Sequence, residues 1–400
     1  MVRLRAQCLA RRRSSAKPRY TFPDGAVPPP DQRRGGTMSD EMKTGILSDR
    51  RIRAAFERGE IIASRPLDAD QVQPASLDLR LADVAYRVRA SFLPGPQVTV
   101  QERIEQLKLH EIDLTRGAVL ETGCVYIVPL IERLALPAGI EASTNPKSST
   151  GRLDIFTRVI TDRAQSFDTI PAGYSGPLYL EVSPRTFPIV ARTGSRLSQI
   201  RFRHGDARLG DAALRALHAI EPLVDGPPAI ANGLLLSIDL MGTNGILGYR
   251  AKRHTGVIDV DKRDACDLLD YWEPIATRGR AELILDPDQF YILVSREAVH
   301  VPPDYAAEMV AFDPLVGEFR VHYAGFFDPG FGHSAAGGAG SRAVLEVRSH
   351  EVPFILEHGQ TVGRLVYETM AERPAVLYGA GAGSNYQAQG LKLSKHFRVA

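Results

Sequence analysis

The stretch that decides the fold is LYLEV at residues 178–182, which returns as AVLEV at residues 343–347. The same spacing of 165 positions holds upstream, where YI at 126–127 falls on YI at 291–292. A register kept across separate matches is the signature of an internal repeat. The chain is therefore predicted to be a tandem duplication.

The duplication and the composition together divide the chain into four predicted parts. Residues 1–43 form a basic tail rich in Pro and Gly, predicted to be disordered because little in it can pack. The first domain is predicted at 44–210 and the second at 225–400, and residues 211–224 link them.

Both halves have the pattern of β proteins, with short apolar runs punctuated by Gly, Pro and Asp. Strands are predicted at 125–130, 178–182, 187–190, 290–294, 343–347 and 353–356. Helices are few: Ser48 can cap one that runs to Arg58, and a second is predicted at 211–220. The fold class is mainly β with minor helices.

Composition excludes several classes of function. Lys and Arg number 49 against 47 Asp and Glu, so the net charge of +2 gives no reason to expect a nucleic-acid partner. The three cysteines are far apart and form no metal-binding pair, which fits a reducing cytoplasm. No apolar run approaches the roughly 20 residues of a membrane span, so no membrane partner is expected.

The segment PKSSTGR at 146–152 suits a phosphate cradle. The hydroxyls of Ser148 and Ser149 can donate to phosphate oxygens, while Lys147 and Arg152 offset the negative charge. A solvated turn is the alternative for a segment of this composition.

A second segment, HYAGFFDPGFG at 322–332, is predicted to form a tight hairpin. Its backbone near Ala324 and the side chains of Phe327 and Asp328 could receive the edge and face of a flat base. An ordinary hairpin of a β sandwich is the alternative.

Glu181 and Glu346 stand at matching positions of the repeated strand. A glutamate that faces inward from an apolar strand needs a partner or a function. Burial would raise its pKa toward the value that suits a general base near neutral pH. An outward glutamate, or a packed structural one, remains the alternative at each position.

Taken together, these motifs resemble the dCTP deaminase branch of the dUTPase-like superfamily. Three further segments share the resemblance: GILSDRRI at 45–52, PASLDLRL at 74–81 and YQAQG at 386–390. The resemblance implies two tandem dUTPase-like domains, each a distorted β barrel or jelly roll. It also implies sites shared between subunits, and hence a homo-oligomer.

The resemblance implies roles for particular residues. The family's glutamate activates the water that attacks C4 of the base, and this role falls on Glu346 or Glu181. Ser148 and Arg152 would orient the reacting groups. Tyr386 and Gln389 would close over the triphosphate.

The two halves have lost complementary parts. The second half carries Phe312, Asp313, Pro314 and Gly317 where the first has its cradle, and the first half lacks an Asp-Pro-Gly turn. One composite site is therefore predicted, with the cradle of the first half and Glu346 of the second. Sites between identical first halves that use Glu181 are the competing hypothesis.

The predicted reaction is hydrolysis of dCTP to dUTP and ammonia. One alternative is hydrolysis of dUTP, alone or after deamination, with Asp328 near the attacking water; another is a nucleotide-binding module without activity. Zinc catalysis is set aside because the chain has no P-C-x-x-C sequence. No protein-bound metal is expected, and Mg²⁺ would enter only with the triphosphate.

Overall fold

The computed structural model describes residues 43–277, 279, 281–311, 319–322, 325–349, 351–379 and 389–398. Several predicted features lie outside these residues: almost all of the basic tail, the positions 312–317, Ala324 and Tyr386. Within the described residues the chain is built mainly from β strands, as predicted.

The first half contains three of the five α-helices in the described residues. Its elements are β1 (Gly45–Ile46), α1 (Asp49–Glu57), β2 (Ile61–Ala63), β3 (Val72–Gln73), β4 (Ser76–Arg80), β5 (Val84–Val88), α2 (Val100–Leu107), β6 (Lys108–Asp113), β7 (Ala118–Leu120), β8 (Val125–Ala135), β9 (Ile140–Pro146), α3 (Ser148–Gly151), β10 (Ile155–Thr161), β11 (Thr169–Ile170), β12 (Ser175–Pro184), β13 (Ile189–Ala191) and β14 (Arg196–His204).

A connecting helix leads into the second half. The elements that follow are α4 (Asp211–Ile220), β15 (Leu234–Ser237), β16 (Ile246–Ala251), β17 (Ile258–Asp259), β18 (Cys266–Asp267), α5 (Leu268–Tyr271), β19 (Trp272–Ala276), β20 (Glu282–Leu285), β21 (Phe290–Val299), β22 (Tyr305–Ala311), β23 (Phe319–His322), β24 (Phe326–Phe327), β25 (Ser341–Ser349), β26 (Phe354–Glu357), β27 (Thr361–Thr369) and β28 (Phe397–Arg398).

The order of strands in the sheets repeats from one half to the other. The first half has a sheet β11-β9-β14-β4-β3 and a sheet β10-β12-β8-β5-β6. The second half has β24-β22-β27-β15 and β23-β25-β21-β16-β19. Within these two sheets, each strand of the second half stands where its sequence counterpart stands in the first. The repeat seen in the sequence is therefore also a repeat of topology.

Helix boundaries follow local capping chemistry. The Ser48 side chain accepts a hydrogen bond from the Arg51 amide, so α1 begins where the sequence predicts. Helix α4 also matches its prediction. Helix α2 was missed, although Thr99 and Glu102 form a capping box whose sequence pattern could have identified it.

One hydrophobic core cluster spans both halves, and the second half has a further cluster of its own. The buried side chains of β12 pack with those of β4 and β14, and the same cluster includes residues of the second half such as Trp272 and Phe397. Phe187 of the first half makes edge-on contacts with both of these rings. Residues 42–400 accordingly form one compact unit.

The segment predicted as a tight hairpin is more elaborate. Strand β23 pairs with β25, but β24, which lies between them in the chain, pairs with β22 of the other sheet. The chain thus crosses between two sheets and returns. Residues 325–331, here named the crossover turn, include Gly330, whose φ of +98° suits glycine.

Candidate active site

A cavity of about 580 Å³ lies where the two halves meet. The first half contributes the cradle residues and the second half contributes the crossover turn and Glu346. Its lining includes Asp78, Lys147, Ser148, Ser149, Arg152, Arg196, Arg263, Phe327, Asp328, Phe331, Glu346, Tyr378, Gln389 and Lys395. All predicted site residues that the structure describes line this cavity except Glu181.

The cradle forms where β9 ends and α3 begins. Lys147 stands at the N-terminal boundary of α3, and its carbonyl accepts hydrogen bonds from the Thr150 and Gly151 amides. This short turn presents Ser148 and Ser149 at the cavity wall. The Lys147 ammonium pairs with the buried Asp78 carboxylate, which belongs to β4.

Arg152 is buried and is held by the C-terminal segment. Its Nη1 donates to the Lys392 carbonyl at 2.9 Å, and its Nη2 donates to Gln389 Oε1 at 3.1 Å. The Gln389 amide nitrogen in turn donates to the Arg342 carbonyl at 3.1 Å. Gln389 therefore fixes the direction of the Arg152 guanidinium. The sequence predicted that Gln389 closes over the triphosphate, but it did not predict this contact with Arg152.

Glu346 faces Arg152 across the boundary between the halves. Its Oε1 lies 3.9 Å from Arg152 Nε, and the residue is 6% exposed. Burial raises the pKa of Glu346 to about 8, while the Arg152 charge opposes that rise. A carboxylate of this kind can exchange a proton near neutral pH.

Glu181 lies elsewhere, although it is 1% exposed and occupies the equivalent strand position. Its Oε1 accepts from Arg158 Nη2 at 2.6 Å and from Arg158 Nε at 3.1 Å. The Arg158 guanidinium also stacks on Phe167, 3.5 Å from the ring centre. Glu181 thus has the partner that a structural glutamate requires.

Asp328 of the crossover turn is paired with a residue from the other half. Arg201 Nη2 donates to Asp328 Oδ1 at 3.0 Å. Burial raises the pKa of Asp328, and the Arg201 charge opposes that rise. Phe327 and Phe331 meet edge to face beside it, with ring centres 4.9 Å apart, and form an apolar wall.

Three cations at the cavity were not singled out from the sequence. Arg196 pairs with Asp68 and Asp70, and Arg263 and Lys395 approach from the second half. Burial and the nearby Lys147 and Arg263 charges lower the pKa of Lys395. A group of cations of this density suits a polyanionic ligand. The KLSK sequence at 392–395 is the only sequence signal for Lys395.

Neither a metal cluster nor a membrane span is found in the described part of the chain. No group of three or more His, Cys, Asp or Glu side chains there is placed to hold a metal ion. None of the helices there is long and apolar enough to cross a membrane.

The structure defines a class of protein, namely duplicated β proteins with a site for an anionic nucleotide. The features that define it are the two-sheet repeat, the cradle of hydroxyls and cations, and the buried glutamate. Family models identify the particular family. Residues 43–206 match the 2'-deoxycytidine 5'-triphosphate deaminase N-terminal domain, and residues 210–397 match the C-terminal domain of that deaminase. The chain belongs to the dCTP deaminase family.

Known proteins resemble either most of the chain or a shorter part of it. A crystal structure of 2'-deoxycytidine 5'-triphosphate deaminase from Agrobacterium tumefaciens is 70% identical, with a TM-score of 0.80. That match covers 82% of this chain and 99% of the other.

Curated relatives match a shorter part of the chain. The dCTP deaminase, dUMP-forming, of Corynebacterium glutamicum is 30% identical over 159 residues, which is 39% of this chain and 78% of that protein. The dCTP deaminase of Haloarcula marismortui is 31% identical over 161 residues, 39% of this chain and 79% of that protein.

Proposed function

We propose that this protein hydrolyses the amino group of dCTP and releases dUTP and ammonia, at one site shared by its two halves. The observation that carries the proposal is the meeting of Glu346 and Arg152 in the cavity that also holds the cradle. A buried carboxylate with a raised pKa can serve as the general base for a metal-free deamination, and the loop beside it can bind the phosphates of the nucleotide. Family membership supports the substrate class.

The triphosphate would lie along the first half. Ser148 and Ser149 would donate to phosphate oxygens, and Lys147 would exchange its pairing with Asp78 for pairing with phosphate. Lys395 and Arg263 would add charge from the second half. Mg²⁺ would arrive as part of the nucleotide complex, bridging phosphate oxygens.

The base would lie against the crossover turn, with Phe327 at its face and the backbone at its edge. Glu346 takes a proton from water as the oxygen adds to C4 and passes that proton to N3 of the ring. It then carries the proton of the new C4 hydroxyl to the departing amino group. The C4–N bond breaks, ammonia leaves and a C4 carbonyl remains. Arg152 holds Glu346 and the water in line, and Gln389 holds Arg152.

Each half is assigned to the dUTPase-like barrel class, from the resemblance and from its pair of sheets with a shared core. A homo-oligomer remains an expectation from the family. Cradle and glutamate belong to one chain, so the proposal assigns no role to a residue of a second copy.

A second candidate is further hydrolysis of the product to dUMP, favoured by relatives that are named dUMP-forming. Asp328 would have to activate the water for that step. Its carboxylate is instead engaged by Arg201, which makes it a poor base. Deamination that stops at dUTP is therefore preferred.

One incubation separates the candidates. The protein is given dCTP and Mg²⁺, and dUTP, dUMP, pyrophosphate and ammonia are resolved over time. Ammonia with dUTP supports the proposal, and pyrophosphate with dUMP supports the second candidate. Binding of dCTP without any product would instead indicate a module without activity.

A further inference from the structure

Arg201 crosses from the first half into the second beneath the crossover turn. It belongs to β14, is 1% exposed, and its Nη1 donates to the Ala307 carbonyl at 2.9 Å. Its Nη2 lies 3.4 Å from the Phe327 carbonyl and 3.0 Å from Asp328 Oδ1. One guanidinium thus contacts both β22 and the turn that β22 supports.

The aromatic ring beside it completes the contact. The Phe326 ring centre lies 4.1 Å from Arg201 Cζ, within the range of a cation–π interaction. Backbone and side-chain atoms of three successive turn residues are therefore fixed by one side chain of the other half. Lysine could not reproduce this geometry, because it presents a single ammonium rather than a planar fork.

We infer that Arg201 is a positioning residue that sets the base-reading turn of the second half against the phosphate cradle of the first. The inference rests on the proposed function, since it assigns base recognition to the crossover turn. Arg201 need not touch the nucleotide: β14 also pairs with β9, the strand that leads into the cradle. Strand β14 therefore contacts both the strand that leads into the cradle and the crossover turn.

Arg203 supplies a matched control on the same strand. It is also buried and charged, and it pairs with Glu141 and with Glu368, a carboxylate that Arg201 also approaches at 3.7 Å. Among the described residues, Arg201 contacts the crossover turn and Arg203 does not. A purely structural role predicts that lysine at either position has the same kind of effect. A positioning role predicts an effect on base recognition from Arg201 alone.

The test compares Arg201→Lys with Arg203→Lys in the full chain. Calorimetry measures the affinity of each for dCTP and for inorganic triphosphate, which engages the cradle only. Arg201→Lys is expected to weaken dCTP about tenfold, the effect of losing hydrogen bonds to a charged group, with triphosphate within about twofold of wild type. Arg203→Lys is expected to leave both affinities unchanged and to lower the melting temperature.

Equal weakening of dCTP and triphosphate by Arg201→Lys, or the same selective loss in Arg203→Lys, would overturn the inference. Hydrogen exchange of the backbone amides at residues 325–331 can be measured without any ligand. The exchange rate should rise in Arg201→Lys only. If wild type binds dCTP no better than triphosphate, the proposed function fails, while the exchange result still decides whether Arg201 holds the turn.

Should Arg201→Lys not fold, Asp328→Asn replaces it in the exchange experiment. This substitution keeps the shape of the side chain but removes the charge that pairs with Arg201. Faster exchange across residues 325–331 supports the inference. Unchanged exchange contradicts it.

Discussion

The two halves place a glutamate at the same point of the same strand and give it different neighbours. In the first half, Arg158 of β10 stands directly opposite Glu181 in the β10–β12 pair. In the second half, His322 of β23 stands opposite Glu346 in the β23–β25 pair. Glu181 therefore receives a guanidinium from its own half, whereas the arginine nearest Glu346 in the described structure comes from the other half.

The turns that follow differ in the same way. Strand β11 pairs Ile170 with Ala142, and β24 pairs Phe327 with Ala307, the repeat counterpart of Ala142. The next residue is a proline in the first half and Asp328 in the second. Duplication has thus preserved the strands while the side chains at the cavity diverged, so equivalence of position does not imply equivalence of chemistry.

The largest expected effect separates the two glutamates. Glu346→Gln removes the proposed base and should lower turnover of dCTP by about 10³-fold, within the range for general base catalysis. Glu181→Gln should leave turnover within about twofold, because Glu181 lies outside the cavity. Ammonia release checks both, and if only Glu181→Gln abolishes activity, the shared site is wrong.

The next effect concerns stability. Arg158→Met leaves the buried Glu181 without its cation, which should lower the free energy of unfolding by about 3 kcal/mol. Urea denaturation measures this change. Turnover by the folded fraction should match wild type, and a loss of turnover would show that the first-half pair takes part in the reaction.

The pH dependence sharpens the role of Glu346. A base must be ionised, so kcat/KM should fall about tenfold per pH unit below the pKa of Glu346, near 8. A rate profile from pH 6 to 9.5 tests this expectation. A profile that is flat down to pH 6 would exclude Glu346 as the titrating base.

The same shift has a consequence for stability. Because folding raises the pKa of Glu346 above its ordinary value, the neutral carboxyl stabilises the fold below about pH 4.5, and that contribution is lost as pH rises toward 8. Wild type should therefore lose stability relative to Glu346→Gln between pH 5 and pH 9. Denaturant midpoints at the two pH values measure the difference, and equal shifts would contradict it.

The last prediction is that dilution of the protein leaves its specific activity unchanged. Cradle and glutamate come from one chain, so specific activity should not change on dilution, even where an oligomer would dissociate. Initial rates from micromolar to nanomolar protein, with sedimentation at the same concentrations, test this expectation. Activity that falls in step with dissociation would place part of the site on a second copy.

The sequence by itself determined the duplication and the mainly β fold, because these depend on periodicity, spacing and local capping, and the resemblance of its motifs indicated the family. It also placed the LYLEV strand and helices α1 and α4, whose signals lie within a few residues. It missed α2, although the capping pair of Thr99 and Glu102 was present.

Only the tertiary structure decided which glutamate meets Arg152 and which residue holds the crossover turn. Glu181 and Glu346 share the motif Leu-Glu-Val, so no local pattern distinguishes them. Arg201 reaches Asp328 through the packing of one half on the other. Such contacts depend on how two sheets face each other, and no spacing along one chain encodes that arrangement directly.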